Sequence, residues 1–363
     1  MPPASHNSGD IAVTVVVPAY NAERWLALTL ESACQQTLRE IEVLVVDDGS
    51  SDRTVQVALD FARRDPRVRL ICRKNGGVGA ARNSAILEAR GKYIAPLDAD
   101  DLWSPDKLAA QVACMEAGGE EMGMCYCWSE KIDANGDRIT ESYPFDLEGT
   151  VLRPLILRNF IGSGSVPMFR TSALREVGNY LERSEQGGVQ GCEDWDLSLR
   201  LAERHLIGLV PKCLVGYRQL VDCMSLNAAG MSQSFEVIMN RAKGRNPEMP
   251  RTVFRWSAGI FYSYLVAKCY LWADYRGCLS SMTKAVAADP ILVFNRRFYL
   301  MGLKSIIRIV TRTRSRLPSA DRGNTDGASS PSPARHRRSS WAEDVQTRRW
   351  EEAIAEACCA PKP

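Results

Sequence analysis

The 363-residue sequence contains no uncharged apolar run of ~18 residues, which argues against a membrane-spanning helix. Its first residues, MPPASHNSGDI (1–11), lack an apolar core, so they are expected to be a disordered leader rather than an export signal. Neither sign of charge dominates. A formal net charge of +3 is too small to imply a nucleic-acid partner, although basic residues gather toward the C-terminus. The twelve cysteines lack paired metal-ligand spacing: Cys125-Tyr126-Cys127 and Cys358-Cys359 do not make a zinc site. Free thiols in a reducing cytoplasm are the expectation. What is present, 45% hydrophobic and 25% charged residues, suits an ordinary globular protein. The length allows one large α/β domain of about 220 residues and a smaller appendage.

Strands and helices alternate along the first hundred residues. Ala12–Val17 is a continuous β-branched run ending at Pro18, as in a strand buried on both faces. A helical pattern follows from Ala22 to about Gln35, then a strand at Ile41–Val46 and a helix capped by Ser51 or Asp52. Val68–Cys72, a helix over Val78–Glu88 and Tyr93–Leu97 continue the series. This spacing predicts a mostly parallel sheet with right-handed crossovers. Ligands of such sheets bind beyond the carboxyl ends of the strands. There the sequence turns polar: Pro18-Ala19-Tyr20-Asn21, Asp47-Asp48, Arg73-Lys74-Asn75 and Asp98–Asp101.

Further on, Asp133-Ala134-Asn135-Gly136 predicts a hairpin turn between Met122–Trp128 and Arg138–Ser142. Helices are expected at about 150–158, 171–177 and 193–204, strands at Val166–Phe169 and Val210–Tyr217, and a mobile loop at 182–192. From about 227 to 310 the pattern is helical, and residues 313–340 are rich in Ser, Pro and Arg, as in disordered chains. Residues 267–290 carry one tetratricopeptide-like spacing, for which an ordinary packed helix pair is the simpler reading.

Five segments, in order, are VVVPAYNAERWL (15–26), VLVVDDGSSDRT (43–54), NGGVGAARNSAI (75–86), YIAPLDADDLW (93–103) and GCEDWDLSLRLA (191–202). Together they resemble family 2 glycosyltransferases over roughly residues 12–220. The resemblance implies the GT-A fold, a Rossmann-like α/β architecture whose mixed sheet carries helices on both faces, here followed by a helical C-terminal extension. The expected organisation is a leader (1–11), a GT-A domain (12–226), a helical region (227–311) and a mostly disordered tail (312–363).

The implied activity is transfer of a sugar from a nucleotide-diphosphate donor to a hydroxyl of a glycan or lipid-linked acceptor, with inversion; UDP is favoured by the resemblance alone. An Asp after a strand can accept a hydrogen bond from a base N–H, which fits Asp47 or Asp48, and Tyr20 offers an aromatic face to a pyrimidine. The resemblance places Pro18, Tyr20 and Glu23 in the nucleotide pocket with Asp48 on the base. Arg82, on the helix that begins near Gly77-Val78-Gly79, is in reach of the base, ribose or diphosphate. The bland role for Asp47 and Asp48 is a turn and helix cap.

Asp98-Ala99-Asp100 brings two carboxylates to one strand end, hard oxygen ligands suited to Mg²⁺ or Mn²⁺. By resemblance, Asp100 is the metal ligand and Asp98 lies near the ribose or sugar; Asp101 reads as the N-cap of a following helix. Glu193-Asp194 opens a helix, where carboxylates meet the positive end of the dipole. Attack at an anomeric carbon needs a base for the acceptor proton. The resemblance assigns that role to Asp194, with Asp196 as its nearest rival. Trp195 either walls the acceptor site or packs in the core, and Gly162–Ser165 either lines the acceptor site or connects elements. Tyr217-Arg218 with Met224-Ser225 resembles a segment that closes on the diphosphate. One departure from the family pattern is the absence of a histidine as further metal ligand, since His205 reads as structural.

Residues 296–316 hold Arg296, Arg297, Lys304, Arg308, Arg312, Arg314 and Arg316 with no acidic residue, interleaved with Leu300, Leu303, Ile306, Ile307 and Val310. A helix of this kind either lies on an anionic membrane, placing the protein at the inner face, or buries its apolar side in the core. Two other functional classes fit the sequence less well. A dinucleotide oxidoreductase would need a G-x-G-x-x-G turn after the first strand, where Pro18-Ala19-Tyr20-Asn21 stands. A catalytically idle nucleotide-sugar scaffold would not need both acidic motifs.

Overall fold

The computed structural model describes residues 11–140, 145–187, 191–220 and 227–311, with residues 348, 349 and 351. Apart from Ile11 and those last three, the expected leader and tail lie outside the described residues. Nine strands form one sheet: β1 (Val13–Ala19), β2 (Ile41–Asp47), β3 (Val68–Cys72), β4 (Tyr93–Pro96), β5 (Leu102–Trp103), β6 (Met122–Ile132), β7 (Arg138–Thr140), β8 (Met168–Arg170) and β9 (Leu206–Arg218). Their spatial order is β3-β2-β1-β4-β8-β6-β9-β5, with β7 beside β6. The first four are mutually parallel, β8 runs antiparallel between β4 and β6, and β9 runs parallel to β6. The sheet is therefore mixed.

Every residue of β1 and β2 is buried, so both faces of the sheet are covered there. That explains why these strands read as Val/Ile/Leu-rich runs, interrupted by Thr14 and Glu42, instead of alternating. The helices of this half are α1 (Leu26–Cys34), α2 (Thr54–Arg64), α3 (Val78–Glu88) and α4 (Lys107–Ala117), followed by α5 (Leu152–Leu157), α6 (Thr171–Val177) and α7 (Glu193–Ala202). Chain order reverses at β1, which has β2 on one side and β4 on the other. At such a switch point the loops leaving adjacent strand ends diverge and open a crevice. The nine cysteines among the described residues are free thiols.

Four further helices follow among the described residues: α8 (Ala228–Arg245), α9 (Arg251–Leu271), α10 (Tyr275–Ala288) and α11 (Arg296–Val310). They share the core of the sheet through an aromatic joint. Phe235 of α8 stacks on Phe261 of α9 at 4.0 Å between centroids, and Trp195 of α7 packs against both at 5.6 and 6.3 Å. Asn227 and Asp274 cap α8 and α10 by accepting from the N–H groups of Gly230 and Gly277, both at 2.9 Å. Among the described residues no helix is long and apolar enough to cross a membrane.

Two expectations are corrected here. Asp101 is not a helix cap: the chain after it forms the short strand β5 on β9, and α4 begins only at Lys107. The apolar side of α11 does not enter the core, since Leu300, Leu303, Ile306, Ile307 and Val310 are all exposed.

Candidate active site

The loops at the ends of β1, β2 and β4 hold most of the residues singled out from the sequence. Pro18 lies inside β1, in register with Val46 of β2, and Tyr20 just beyond it is 55% exposed. An exposed aromatic ring at the switch point is free to stack. Glu23 accepts from the backbone N–H of Arg53 at 2.9 Å, and its own N–H donates to Asp52, so it ties the β1 loop to the start of α2.

Asp47 and Asp48 divide the work of one turn. Asp47 accepts from the N–H groups of Gly49 and Ser50, closing its own loop. Asp48, buried, accepts from Gly77 N–H at 2.8 Å, from Gly76 N–H at 3.0 Å and from Arg73 Nη1 at 2.9 Å. Gly77, at φ +93°, adopts a backbone shape that favours glycine and brings its N–H to Asp48 at the mouth of α3. In this structure the Asp48 carboxylate thus anchors the loop that launches α3.

That helix delivers Arg82 to the centre of the site. Arg82 is almost fully buried, and its Nη2 donates to Asp98 at 2.6 Å while Nη1 donates to Glu193 at 3.1 Å. One guanidinium therefore joins two acidic motifs 95 residues apart in sequence (193 − 98). Its plane lies over the ring of Tyr180, 5.0 Å from the centroid. Burial works against its charge, but Asp98 and then Tyr180, Glu193 and Asp194 more than compensate and hold it protonated.

The 98–101 loop is tied through its backbone and its last carboxylate. Thr29 Oγ1 of α1 donates to the carbonyls of Ala99 and Asp101, and Arg218 Nε donates to that of Asp100. Asp101, fully buried, accepts from Ser165 Oγ and from Arg218 N–H at 2.9 Å, which pins the 162–165 segment and the end of β9 to this loop. Burial, then Asp100 and Asp98, push its pKa well up. Asp98 N–H in turn donates to Ser165 Oγ at 2.9 Å. Asp100 is half-buried and forms no ion pair among the described residues. Burial and the neighbouring Asp98 charge raise its pKa to about 6.

At the second motif, α7 aims its first-turn carboxylates in different directions. Glu193 is buried against Arg82 and Gly191 N–H. Asp196 lies on another face, where it pairs with Arg200 at 2.7 Å. Asp194 forms no ion pair among the described residues and accepts only from Trp195 N–H at 2.8 Å. Burial and the adjacent Glu193 raise its pKa to about 7, against the lowering pull of Arg82. Such a group gains or loses its proton near neutral pH. Trp195 belongs to the core, with its Nε1 donating to the Leu155 carbonyl at 2.8 Å.

Several participants carry no sequence signature. Gly164 approaches so closely that a Cβ on it would lie 2.5 Å from Arg82 Nη2 and 3.1 Å from Asp98 Oδ2. The Gly/Ser segment therefore lines this site, a signal present in the sequence as the repeat Gly162-Ser163-Gly164-Ser165. Seven buried side-chain polar atoms among the described residues lack a protein hydrogen-bond partner, and Arg82 Nε, Tyr180 Oη and Ser163 Oγ belong to this site. Buried polar groups are normally satisfied, so these positions suit ordered water. Arg218 stacks on Trp25 and donates from Nη1 to the Asp133 and Ala134 carbonyls. Met224-Ser225 lies outside the described residues. His205 sits beside Glu176, at 3.1 Å.

Among the described residues no group of three or more His, Cys, Asp or Glu side chains converges as a metal cage. Asp98 and Asp100 are the available oxygen ligands, and Asp98 shares its carboxylate with Arg82. A carboxylate whose proton affinity is raised by burial and by its neighbour, as that of Asp100 is, suits a divalent cation that takes its remaining ligands from phosphate and water.

Residues 14–178 match the family model described as glycosyl transferase family 2. Among curated relatives, an Escherichia coli chondroitin synthase is 30% identical over 193 residues, 53% of this chain and 26% of that protein. A Pasteurella multocida hyaluronan synthase is 29% identical over 202 residues, 55% of this chain and 19% of its own length. The chain thus spans about a quarter or less of these two relatives. Among solved structures, S. aureus TarS 1–349 in complex with UDP-GlcNAc superposes with a TM-score of 0.58 at 17% identity, covering 81% of this chain and 89% of that one. That likeness is one of fold.

Proposed function

We infer that this chain, whose residues 14–178 belong to glycosyl transferase family 2, transfers a sugar from a nucleotide-diphosphate donor to an acceptor hydroxyl with inversion. The observation that carries the reading is Arg82, which holds the two acidic motifs on one guanidinium at the sheet's switch point. The named relatives make glycosaminoglycans, which supports a glycan acceptor, and TarS was solved with UDP-GlcNAc, which supports UDP as the donor's nucleotide.

In this reading Tyr20 stacks on the base beside Pro18, Glu23 and the Asp48-anchored loop. A base that hydrogen-bonds Asp48 directly displaces one of that carboxylate's loop partners. Arg82 sets Asp98 for the ribose or sugar. Asp100, with Asp98 beside it, would hold Mg²⁺ or Mn²⁺, whose chemistry is to offset charge on the leaving diphosphate. The acceptor oxygen attacks the anomeric carbon as the bond from that carbon to the diphosphate oxygen breaks. Asp194 takes the hydroxyl proton, and the nucleoside diphosphate departs with the bonding electron pair.

The test is transfer from UDP-sugars to glycan acceptors by Asp194→Asn and Asp100→Ala. Loss of the general base is expected to slow turnover by about 10²–10⁴-fold. Full activity in both variants sinks the assignment. The scaffold reading would predict donor binding with no transfer or donor hydrolysis by the unmodified protein.

A further inference from the structure

Helix α11 is amphipathic with its apolar side turned away from the protein. It packs through Phe298, Gly302 and Ser305, which are buried, and Gly302 is so close to α10 that a Cβ would come 2.8 Å from the Met282 methyl group. On the other side Tyr299, Leu300, Leu303, Ile306, Ile307 and Val310 are each 49–75% exposed. They recur at spacings of three and four, so they form one stripe along about 17 Å of helix. Scattered exposed apolar residues are normal, whereas a contiguous stripe marks a surface that is covered in use.

Charge decides what covers it. Arg296 opens the helix and Lys304 lies along one edge of the stripe, while Arg308 donates from Nη1 to Tyr275 Oη of α10 at 3.0 Å; no acidic residue stands between 296 and 316. A second copy docking stripe to stripe would bring like charges together. Arg349 lies against Asp289, just past the end of α10, and Trp256 of α9. We propose that α11 lies in the surface of an anionic lipid bilayer, its apolar stripe at the acyl boundary and Arg296 and Lys304 against lipid phosphates. This inference is independent of the sugar-transfer reading, because membrane binding needs neither donor nor acceptor.

Flotation of the full chain with vesicles tests it. Vesicles of phosphatidylcholine with one-third phosphatidylglycerol should carry the protein, and pure phosphatidylcholine should not. Leu303→Ser with Ile307→Ser should cut partitioning at least about ten-fold, given roughly 1.5–3 kcal/mol for a fully buried Leu or Ile. Lys304→Gln should cut it roughly five-fold, as should a rise in salt. These side chains are exposed, so an unchanged thermal melt confirms that the variants are folded. Failure of the unmodified chain to float with anionic vesicles overturns the proposal. So does equal flotation of the double variant, or a solution dimer that this variant converts to monomer.

Discussion

The two acidic motifs are built alike and serve different ends. Each has one carboxylate with neither an ion pair nor a hydrogen bond beyond its adjacent residue among the described residues, Asp100 in the first and Asp194 in the second, while the neighbours are engaged. Asp98 and Glu193 share Arg82, Asp101 holds Ser165 and the end of β9, and Asp196 holds Arg200. The surroundings of the two unpaired groups differ. Asp100 is raised by burial and by a second carboxylate, a situation a divalent cation relieves. Asp194 is raised by burial and Glu193 with Arg82 close by, a situation that suits transient proton uptake. Most of each motif is thus framework, and one carboxylate in each remains for chemistry.

Removing the shared arginine is the harshest way to break this comparison. Arg82→Met should cost about 3–5 kcal/mol in chemical denaturation, because it leaves Glu193 and Asp98 buried or half-buried without a counter-charge. Asp100→Asn comes next. It should abolish the Mn²⁺-dependent part of the thermal shift given by UDP and lower turnover by about 10²-fold, leaving the melting of the ligand-free protein close to normal. Gly164→Ala should cost roughly 1–3 kcal/mol, read as stability or as donor affinity, because its methyl group displaces Arg82. The mildest test is pH. A base with a pKa of about 7 is active when deprotonated, so turnover should fall about ten-fold per unit below pH 7 and level off above it.

How much of this could be read in the sequence depended on the range of the interaction. The spans of α3 and α6 match their expected ranges, and β1 to β4 stand within two residues of theirs, because burial on both faces leaves Val/Ile/Leu-rich runs between polar strand ends. The order β4-β8-β6-β9 was not legible, and neither was β5, since Leu102 and Trp103 pair with Gly216 and Val215 more than 110 residues away. That long-range pairing is what turned the expected cap at Asp101 into an anchor. Within the site, Asp98, Asp100, Asp194 and Arg82 were named from their motifs. The bridge through Arg82 to Glu193 was not, because a guanidinium spanning 111 residues has no linear pattern. For α11 the sequence left open whether its apolar side is buried; Gly302 and Ser305 pack instead, and the apolar side stays exposed.

The account turns on Asp194 and Asp196, two residues apart on α7, having opposite roles. The Asp194 pKa is raised above the ordinary carboxylate value. Its contribution to stability is therefore fully present below about pH 4 and lost as pH rises through about 7. A neutral Asn there should make the fold more stable at pH 8. Asp196→Asn removes a buried charge paired with Arg200 and should cost about 3 kcal/mol. The direct measurement is turnover with a UDP-sugar and melting temperature at pH 8 for both variants side by side. The prediction is at least about a hundred-fold slower transfer with a raised melting temperature for Asp194→Asn. For Asp196→Asn it is transfer within a few-fold of normal with a lowered one. Equal losses of activity, or a greater loss at Asp196, would contradict it.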